Sequence, residues 1–238
     1  MKQNTDNLRV MNKLMASFLF LLFINHPLWA YKLTYKEQVY ELYHRHLYAY
    51  PNRTWENLMY LEEALDADFA NPLNALTRIE TKEEWNKYQK LFDMHIHLKI
   101  VENYLILGNK FDKQKAYFYN APYKDITLRS LDIAEKIYNF ALPHWVEAVK
   151  LAKETENYPY LFLEGIQFWE DEAYRINHDE LNYESIINKQ INRLIRVREE
   201  LNKMDSSTFP GPGENGIADP DKVGELNNLF KDWEGFIK

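Results

Sequence analysis

The segment TKEEWNKYQKLFDMHIHLKIVENYLILG, residues 81–108, decides the fold, because it predicts one long helix whose two ends are both encoded locally. Thr81 followed three residues later by Glu84 is a capping box, and Gly108 is the residue type that ends helices in left-handed geometry. At ~1.5 Å per residue such a helix would be roughly 39 Å long. We therefore expect it to be the central element of a single helical domain.

The two halves of this helix differ in character. In the first half Trp85, Tyr88 and Phe92 fall on one stripe, and the residues opposite are polar: Lys82, Glu83, Asn86, Lys87 and Lys90. That pattern predicts a surface helix with one buried face. The second half has almost no polar face, since its apolar residues are Ile96, Leu98, Ile100, Val101, Tyr104, Leu105, Ile106 and Leu107. We expect this half to be surrounded by other helices.

Apolar residues at three- and four-residue spacing predict further helices on both sides. The predicted elements are residues 35–50 stopped by Pro51, a helix from Thr54 to about Phe69, a short element at Asn71-Pro72, a short helix or irregular aromatic segment over 111–120, a helix from Asp125 to Ala141, a second one beginning or kinking at Pro143, and helices over 161–174 and 183–203. No stretch alternates as a strand would. The fold class is therefore all-α, with roughly seven to nine helices in antiparallel hairpins, arranged as a tetratricopeptide-like array or an irregular bundle.

The helical domain is predicted to span residues 31–204 and to be followed by a tethered helix. Residues 205–221 are rich in proline, glycine and serine and predict a linker, and residues 222–238 predict a short amphipathic helix. Its apolar face carries the predicted partner-binding residues Val223, Leu226, Leu229, Phe230, Trp233 and Phe236. Such a helix either folds back onto its own domain or docks in the groove of a partner.

Residues 1–30 have the order of a secretory signal peptide. Lys2, Arg9 and Lys13 precede an apolar run over residues 14–24, and Ala30 provides a small residue for cleavage. The run is short for a membrane span. We expect export to the periplasm. The alternative is that residues 1–30 remain as an uncleaved N-terminal anchor, which would then be the only part of the chain predicted to contact the membrane. The chain has no cysteine, which excludes disulfides and suits a bacterial periplasm.

Composition and motifs argue against several functional classes. The formal net charge of −7 disfavours a nucleic-acid surface. Glu41-x-x-His44 has the spacing of helical di-iron sites but lacks a second copy, and His95 and His97 stand two apart, which places them on different helix faces. Phosphate loops and nucleophile motifs are absent from the sequence. The sequence therefore predicts no catalytic residue, no cofactor and no metal.

Three arginines mark the last helix of the domain. Arg193, Arg196 and Arg198 alternate with apolar residues over 193–198. The simplest interpretation is the solvated side of a helix, and the alternative is a patch for an acidic partner.

Fragments of a helical repeat are present. Tyr104, Leu107, Gly108 and Phe111 have the spacing of the first helix of a tetratricopeptide repeat, and Ala134, Tyr138 and Ala141 have that of the second, although the two fragments do not share one 34-residue frame. With the stretch YELYHRHLYAYPNRTWENLMYLEEALDADFANPLNAL, the exported tyrosine-rich chain is similar to the periplasmic helical proteins of spirochaetes, of the tetratricopeptide-like flagellar collar type. The resemblance covers about residues 35–204 and implies a non-enzymatic scaffold that assembles around the flagellar motor.

Three functional hypotheses follow. The leading one is a periplasmic interaction protein that binds other periplasmic or envelope proteins, flagellar motor components among them. The second is a helical solute-binding accessory protein with an aromatic ligand pocket. A helical hydrolase is the third, and it requires polar groups distant in sequence to converge in the fold.

Overall fold

The structure, a computed structural model, describes residues 33–112 and 123–203. Within these ranges the chain is all-α, as predicted, with six α-helices and one 3-10 turn. The helices are α1 Lys36–Ala49, α2 Thr54–Asp66, α3 Lys82–Phe111, α4 Tyr123–Thr155, α5 Gln167–Asn177 and α6 Tyr183–Lys203, and the 3-10 turn is Pro72–Asn74. The predicted leader, the segment 113–122, the linker and the tail helix lie outside the described residues.

The start of α3 is the predicted capping box. The hydroxyl oxygen of Thr81 accepts the backbone N–H of Glu84 at 3.1 Å, and the carboxylate of Glu84 accepts the N–H of Thr81 at 3.0 Å. Two backbone donors that no helical carbonyl reaches are thereby satisfied, which fixes where the helix begins.

The predicted end of α3 is wrong, since the helix continues past Gly108 to Phe111. Gly108 is needed for a different reason. A Cβ added there would overlap the ring of Tyr138, with Cδ1 at 2.7 Å and Cζ at 2.9 Å. Gly108 thus allows α3 and α4 to approach closely, and the backbone need not leave the helix there.

The helices pack as antiparallel hairpins around α3. Contacts of Gly108 with Tyr138 and of His97 with His144 show that α3 and α4 run in opposite directions. α1 pairs with α2, α2 with α3, α4 with both α5 and α6, and α5 also contacts α3. α3 therefore has neighbours on several sides, which the sequence of its second half predicted.

Burial along α3 follows the prediction with two exceptions. Ile96, Leu98, Ile100 and Val101 are fully buried, but Ile106 is 51% exposed, because the enclosure is incomplete near the end of the helix. In the first half, Lys87 was assigned to the polar face and is instead buried. Its ammonium group is compensated by a carboxylate of α5, as described below.

Two helix boundaries in the second half of the chain differ from the prediction. Asp125 was expected to begin one helix and Pro143 to begin or kink another, yet both lie inside α4, which runs as one helix from Tyr123 to Thr155. A proline removes one backbone donor from a helix. Here the buried residues Tyr138 and Trp145, on either side of Pro143, pack against neighbouring helices and keep α4 continuous.

The helix predicted over residues 161–174 begins only at Gln167. Gly165, at φ +85°, interrupts the chain just before it. Residues 156–166 therefore form a connecting segment, on which Tyr160 and Phe162 are each 70% exposed. By contrast, α6 has the predicted bounds, and the Asn71-Pro72 turn begins as predicted, with the Asn71 side chain accepting the N–H of Leu73 at 2.9 Å.

Candidate functional site

The polar residues of α3 form separate networks with the helices on its different sides. On one side His95, which is 1% exposed, lies between Tyr40 of α1 and Glu172 of α5. The Tyr40 hydroxyl is 2.7 Å from Nε2 of His95, and Glu172 Oε2 is 2.5 Å from Nδ1. Trp169 stacks on the imidazole, with ring centroids 5.0 Å apart.

This arrangement assigns the protons. A carboxylate only accepts, so Nδ1 of His95 carries the hydrogen donated to Glu172, and Nε2 accepts the hydroxyl hydrogen of Tyr40. Burial lowers the pKa of His95, and burial raises the pKa of Tyr40. Both side chains are therefore uncharged, and hydrogen bonds run from Tyr40 to His95 and from His95 to Glu172.

The network continues from Glu172 towards α6. Lys99 lies 3.9 Å from Glu172 Oε1 and donates to Glu102 at 2.9 Å, while the hydroxyl of Tyr183 donates to the other oxygen of Glu102 at 2.9 Å. Residues of α1, α3, α5 and α6 are joined in this way. Since each of these side chains has a partner from this chain, the network can hold helices in register without any ligand.

On another side of α3, His97 faces His144 of α4 with the two Nδ1 atoms 3.0 Å apart. One imidazole donates and the other accepts, so the pair accommodates a single hydrogen between them. Burial, reinforced by the neighbouring His144, lowers the pKa of His97 to about 4. Tyr104 packs 5.9 Å from the His144 ring and donates to Glu62 of α2 at 2.9 Å.

The histidines considered in the sequence are therefore placed as follows. His95 and His97 do face different sides of α3, as predicted. His44 is exposed and rests edge-on against Tyr40, with ring centroids 4.4 Å apart. A further histidine of α1, His46, is largely covered and bonds Asn57 at 2.8 Å. Across residues 33–112 and 123–203, no three His, Asp or Glu side chains stand close enough together to hold a metal ion.

An open cleft with aromatic walls lies between α3, α5 and the segment that follows α4. We call it the tyrosine cleft; its volume is about 200 Å³, and it is lined by Lys87, Leu91, Thr155, Glu156, Tyr158, Tyr160, Glu170, Ala173, Tyr174, Asn177 and His178. An ion pair between Lys87 and Glu170, 2.8 Å apart, is almost fully buried there, with side chains 6% and 9% exposed. Lys87 also donates to the carbonyl oxygen of Pro159 at 3.2 Å, which ties the segment to α3.

A second opening, the turn groove, lies at the other end of α3. It is about 360 Å³ in volume and is lined by Asn52, Arg53, Thr54, Trp55, Glu56, Leu107, Lys110 and Phe111. Lys110 bridges the α1–α2 turn, since its ammonium donates to the carbonyl of Asn52 and to the hydroxyl of Thr54, each at 2.9 Å. Both acceptors are neutral, so the positive charge of Lys110 is not balanced by these contacts.

The arginine run of α6 is not simply a solvated face. Arg193 forms an ion pair with Asp112, which directly follows α3. Arg198 pairs with Asp132 at 2.8 Å and with Glu135 at 2.6 Å, both on α4. Two of the three arginines therefore bind acidic groups of the same chain, and Arg196 is the exposed one.

The sequence did not indicate the tyrosine cleft or the buried networks. Their members come from different helices, and the spacing within a single helix carries no information about partners far along the chain. The nearest signal for the cleft is Tyr158-Pro159, a pair that by itself predicts only a break between helices. The predicted partner-binding residues 223–236 lie outside the described part of the chain.

Comparison with known proteins places the chain in a family. The sequence model of the family described as "Domain of unknown function (DUF8513)" matches residues 83–204. The chain belongs to this family. The matched region contains α3 to α6 except for Lys82 at the start of α3. It includes the His95–Glu172 and His97–His144 contacts and the Lys87–Glu170 ion pair, whereas α1, with the Tyr40 partner of His95, and α2 precede it.

No curated protein and no solved structure matches the chain. Among the helices of residues 33–112 and 123–203, none is long and apolar enough to cross a membrane.

Proposed function

We propose that this DUF8513 protein is a non-enzymatic periplasmic scaffold that binds other proteins, with components of the flagellar motor collar as candidate partners. The observation that carries the proposal is the segment between α4 and α5, where Tyr160 and Phe162 present most of their surface to solvent. Exposed aromatic side chains supply large contact areas at low entropic cost and are enriched in interface cores.

The polar groups of α3 support a binding role over a catalytic one. The His95 and His97 pairings connect one helix to another, and neither histidine is among the residues that line the tyrosine cleft or the turn groove. A catalytic acid or base needs to reach a bound substrate. The cleft is lined by His178 and Glu156 as well as by three tyrosines, and the large apolar side chains with the most solvent exposure near it are Tyr160, Phe162 and Tyr174.

The test is recovery of partners from a cross-linked native periplasm by the mature chain. Tyr160→Ser/Phe162→Ser is compared with Tyr48→Ser, a control whose side chain is 93% exposed on α1. We expect the double variant to lose a defined set of envelope proteins that the control retains. Equal recovery by both variants would show that the aromatic segment does not bind these partners. Absence of motor proteins from the wild-type sample would show that the partners are not collar components.

The tail is tested in the same experiment with a chain that ends at Met204. Residues 222–238 are proposed to contribute to binding through their apolar face. Loss of partners on truncation supports this contribution, whereas unchanged recovery contradicts it. N-terminal sequencing of the protein from the periplasm tests cleavage after Ala30.

A small-ligand function is the second candidate, and the tyrosine cleft favours it. Three tyrosines, Tyr158, Tyr160 and Tyr174, line an opening of about 200 Å³, which is smaller than the roughly 300–1,000 Å³ of ordinary ligand pockets, so the ligand of this proposal is a molecule of few heavy atoms. Native mass spectrometry of protein isolated from its own periplasm tests this directly. A bound mass that disappears in Tyr160→Ala/Tyr174→Ala supports the ligand function, and an unliganded chain in every preparation opposes it.

A further inference from the structure

The charged and amide donors around the tyrosine cleft are directed at acceptors of their own chain. In the described part of the chain, Lys87 is the only lysine or arginine that lines the cleft, and its ammonium is 2.8 Å from Glu170 and 3.2 Å from the carbonyl oxygen of Pro159. Other lining side chains donate to backbone carbonyl oxygens: Thr155 to Ala152 at 2.6 Å, Asn177 to Ala152 at 3.0 Å, and Nδ1 of His178 to Tyr174 at 2.9 Å. An anionic ligand would therefore have to compete with these contacts for a donor.

Two helices end at the cleft. α4 ends at Thr155 and α5 at Asn177, and the residues that follow them, Glu156 and His178, also line the cleft. The C-terminus of a helix carries a partial negative charge, which favours a nearby cation. Neither basic residue of the two last turns is among the lining residues: Lys153 and Arg175. Both helix ends therefore make the electrostatic potential in the cleft more negative.

A carboxylate and aromatic rings are left for a ligand to contact. Glu156 is exposed, and it has no ion-pair partner among the described residues. Tyr160 is 70% exposed and Tyr174 is 55% exposed. The ammonium of Lys87 lies 5.8 Å from the centre of the Tyr160 ring, so this ring already has a cation near its face within the folded chain.

We propose that the tyrosine cleft binds a small organic ammonium ion. The inference rests on the small-ligand function proposed above and specifies the chemical class of that ligand. A primary ammonium group supplies the positive charge and the donors that match the Glu156 carboxylate, the tyrosine rings and the two helix ends. Because the volume is about 200 Å³, the ligand has few heavy atoms, as in butylammonium.

Binding is measured by titrating the isotope-labelled mature chain at neutral pH and recording the amide signals by NMR. Three probes share a four-carbon stem and differ in charge: butylammonium chloride, 1-butanol and sodium butyrate. Sodium chloride keeps the ionic strength equal in all titrations. Glu156→Gln removes the charge of the carboxylate, and Tyr160→Leu removes the aromatic ring. The matched controls are Glu199→Gln on α6 and Tyr48→Leu on α1, both at exposed positions outside the cleft.

We expect butylammonium to shift the amide signals of cleft residues such as Ala173 and His178 in a saturable way. It is expected to bind about tenfold more tightly than 1-butanol or butyrate. Glu156→Gln and Tyr160→Leu should each weaken this binding by about three- to fivefold, and the two controls should retain it. Equal binding of 1-butanol, tighter binding of butyrate, or no saturable binding of any probe would overturn the inference. Unchanged binding by both cleft variants would overturn it as well.

The side chain of lysine also carries an ammonium group on a four-carbon stem, so a partner protein is a second source of the same chemistry. Nα-acetyl-lysine methylamide is titrated for this reason. Tighter binding of this probe than of butylammonium would assign the ammonium to a lysine of a partner, and weaker binding would assign it to a free amine.

Failure of the inference and failure of the small-ligand function are separate results. A neutral or anionic molecule found in the cleft by native mass spectrometry would leave the small-ligand function standing and overturn the ammonium inference. A chain that is always isolated without ligand but binds butylammonium would do the reverse.

Discussion

Acid should destabilise this protein through the imidazole pair of α3 and α4, and the effect can be isolated with His97→Asn. In the folded chain the pKa of His97 is lowered to about 4, because the side chain is buried and lies beside His144. In the unfolded chain a histidine titrates near its ordinary value of about 6.5. Asparagine retains a hydrogen-bonding side chain of similar reach but does not titrate.

The sign and size follow from the two pKa values. Above about pH 6.5 both states hold His97 neutral, so its titration does not affect stability. Between about 6.5 and 4 the unfolded chain binds a proton that the folded chain does not, and the free energy of unfolding falls as the pH falls. At ~1.36 kcal/mol for each pKa unit, the loss specific to His97 approaches about 3 kcal/mol at pH 4.

The assay is urea denaturation followed by circular dichroism at several values from pH 7.5 to pH 4. Carboxylates and other histidines titrate in every protein compared, so the quantity of interest is the difference between wild type and variant. We expect His97→Asn to lose about 3 kcal/mol less than wild type over this interval. Leu73→Asn, at a position that is 92% exposed, is expected to follow wild type. Parallel curves for wild type and His97→Asn would refute the assignment of the imidazole pair as a buried, neutral contact.

Three further predictions concern packing. Gly108→Ala is expected to lower the free energy of unfolding by about 1–2 kcal/mol, because the added Cβ overlaps the ring of Tyr138 and this outweighs the better helix propensity of alanine. Thermal unfolding measures the loss, and adding Tyr138→Leu should recover part of it. Lys87→Met should cost roughly 3–5 kcal/mol in urea denaturation by leaving Glu170 buried and unpaired, whereas a variant with Glu170→Leu as well should regain most of it. Thr81→Ala should cost about 1 kcal/mol through the lost cap, with faster hydrogen exchange confined to the first turn of α3.

The predictable parts of the fold are those that a few neighbouring residues determine. Thr81 and Glu84 are three positions apart, so the sequence alone specifies the bonds that start α3. The end of α3 is different, because Gly108 has two possible roles, as a helix end or as a point of close approach. Only the position of Tyr138 on another helix distinguishes them. Pro143 is a similar case, since packing of the surrounding residues outweighs the backbone donor that the proline lacks.

The residues of the buried networks were predictable only as isolated side chains. Tyr40 and His95 are 55 positions apart, and Lys87 receives its carboxylate from α5. Helical spacing gives the face on which a residue lies, but it does not give the helix that covers that face. For this reason Lys87 was assigned to solvent, and the tyrosine cleft around it was not anticipated.

The polar residues of α3 bear on what kind of function the domain can have. His95 binds α1 and α5, His97 binds α4, and Lys99 binds a carboxylate of its own helix that in turn receives a hydroxyl from α6. Removing one member of such a network leaves a buried partner unsatisfied, so each contact favours one alignment of the helices over its alternatives. These groups are committed to holding the helices together. The segment between α4 and α5, by contrast, presents Tyr160 and Phe162 to solvent, which is why we propose partner binding there and not on the histidines.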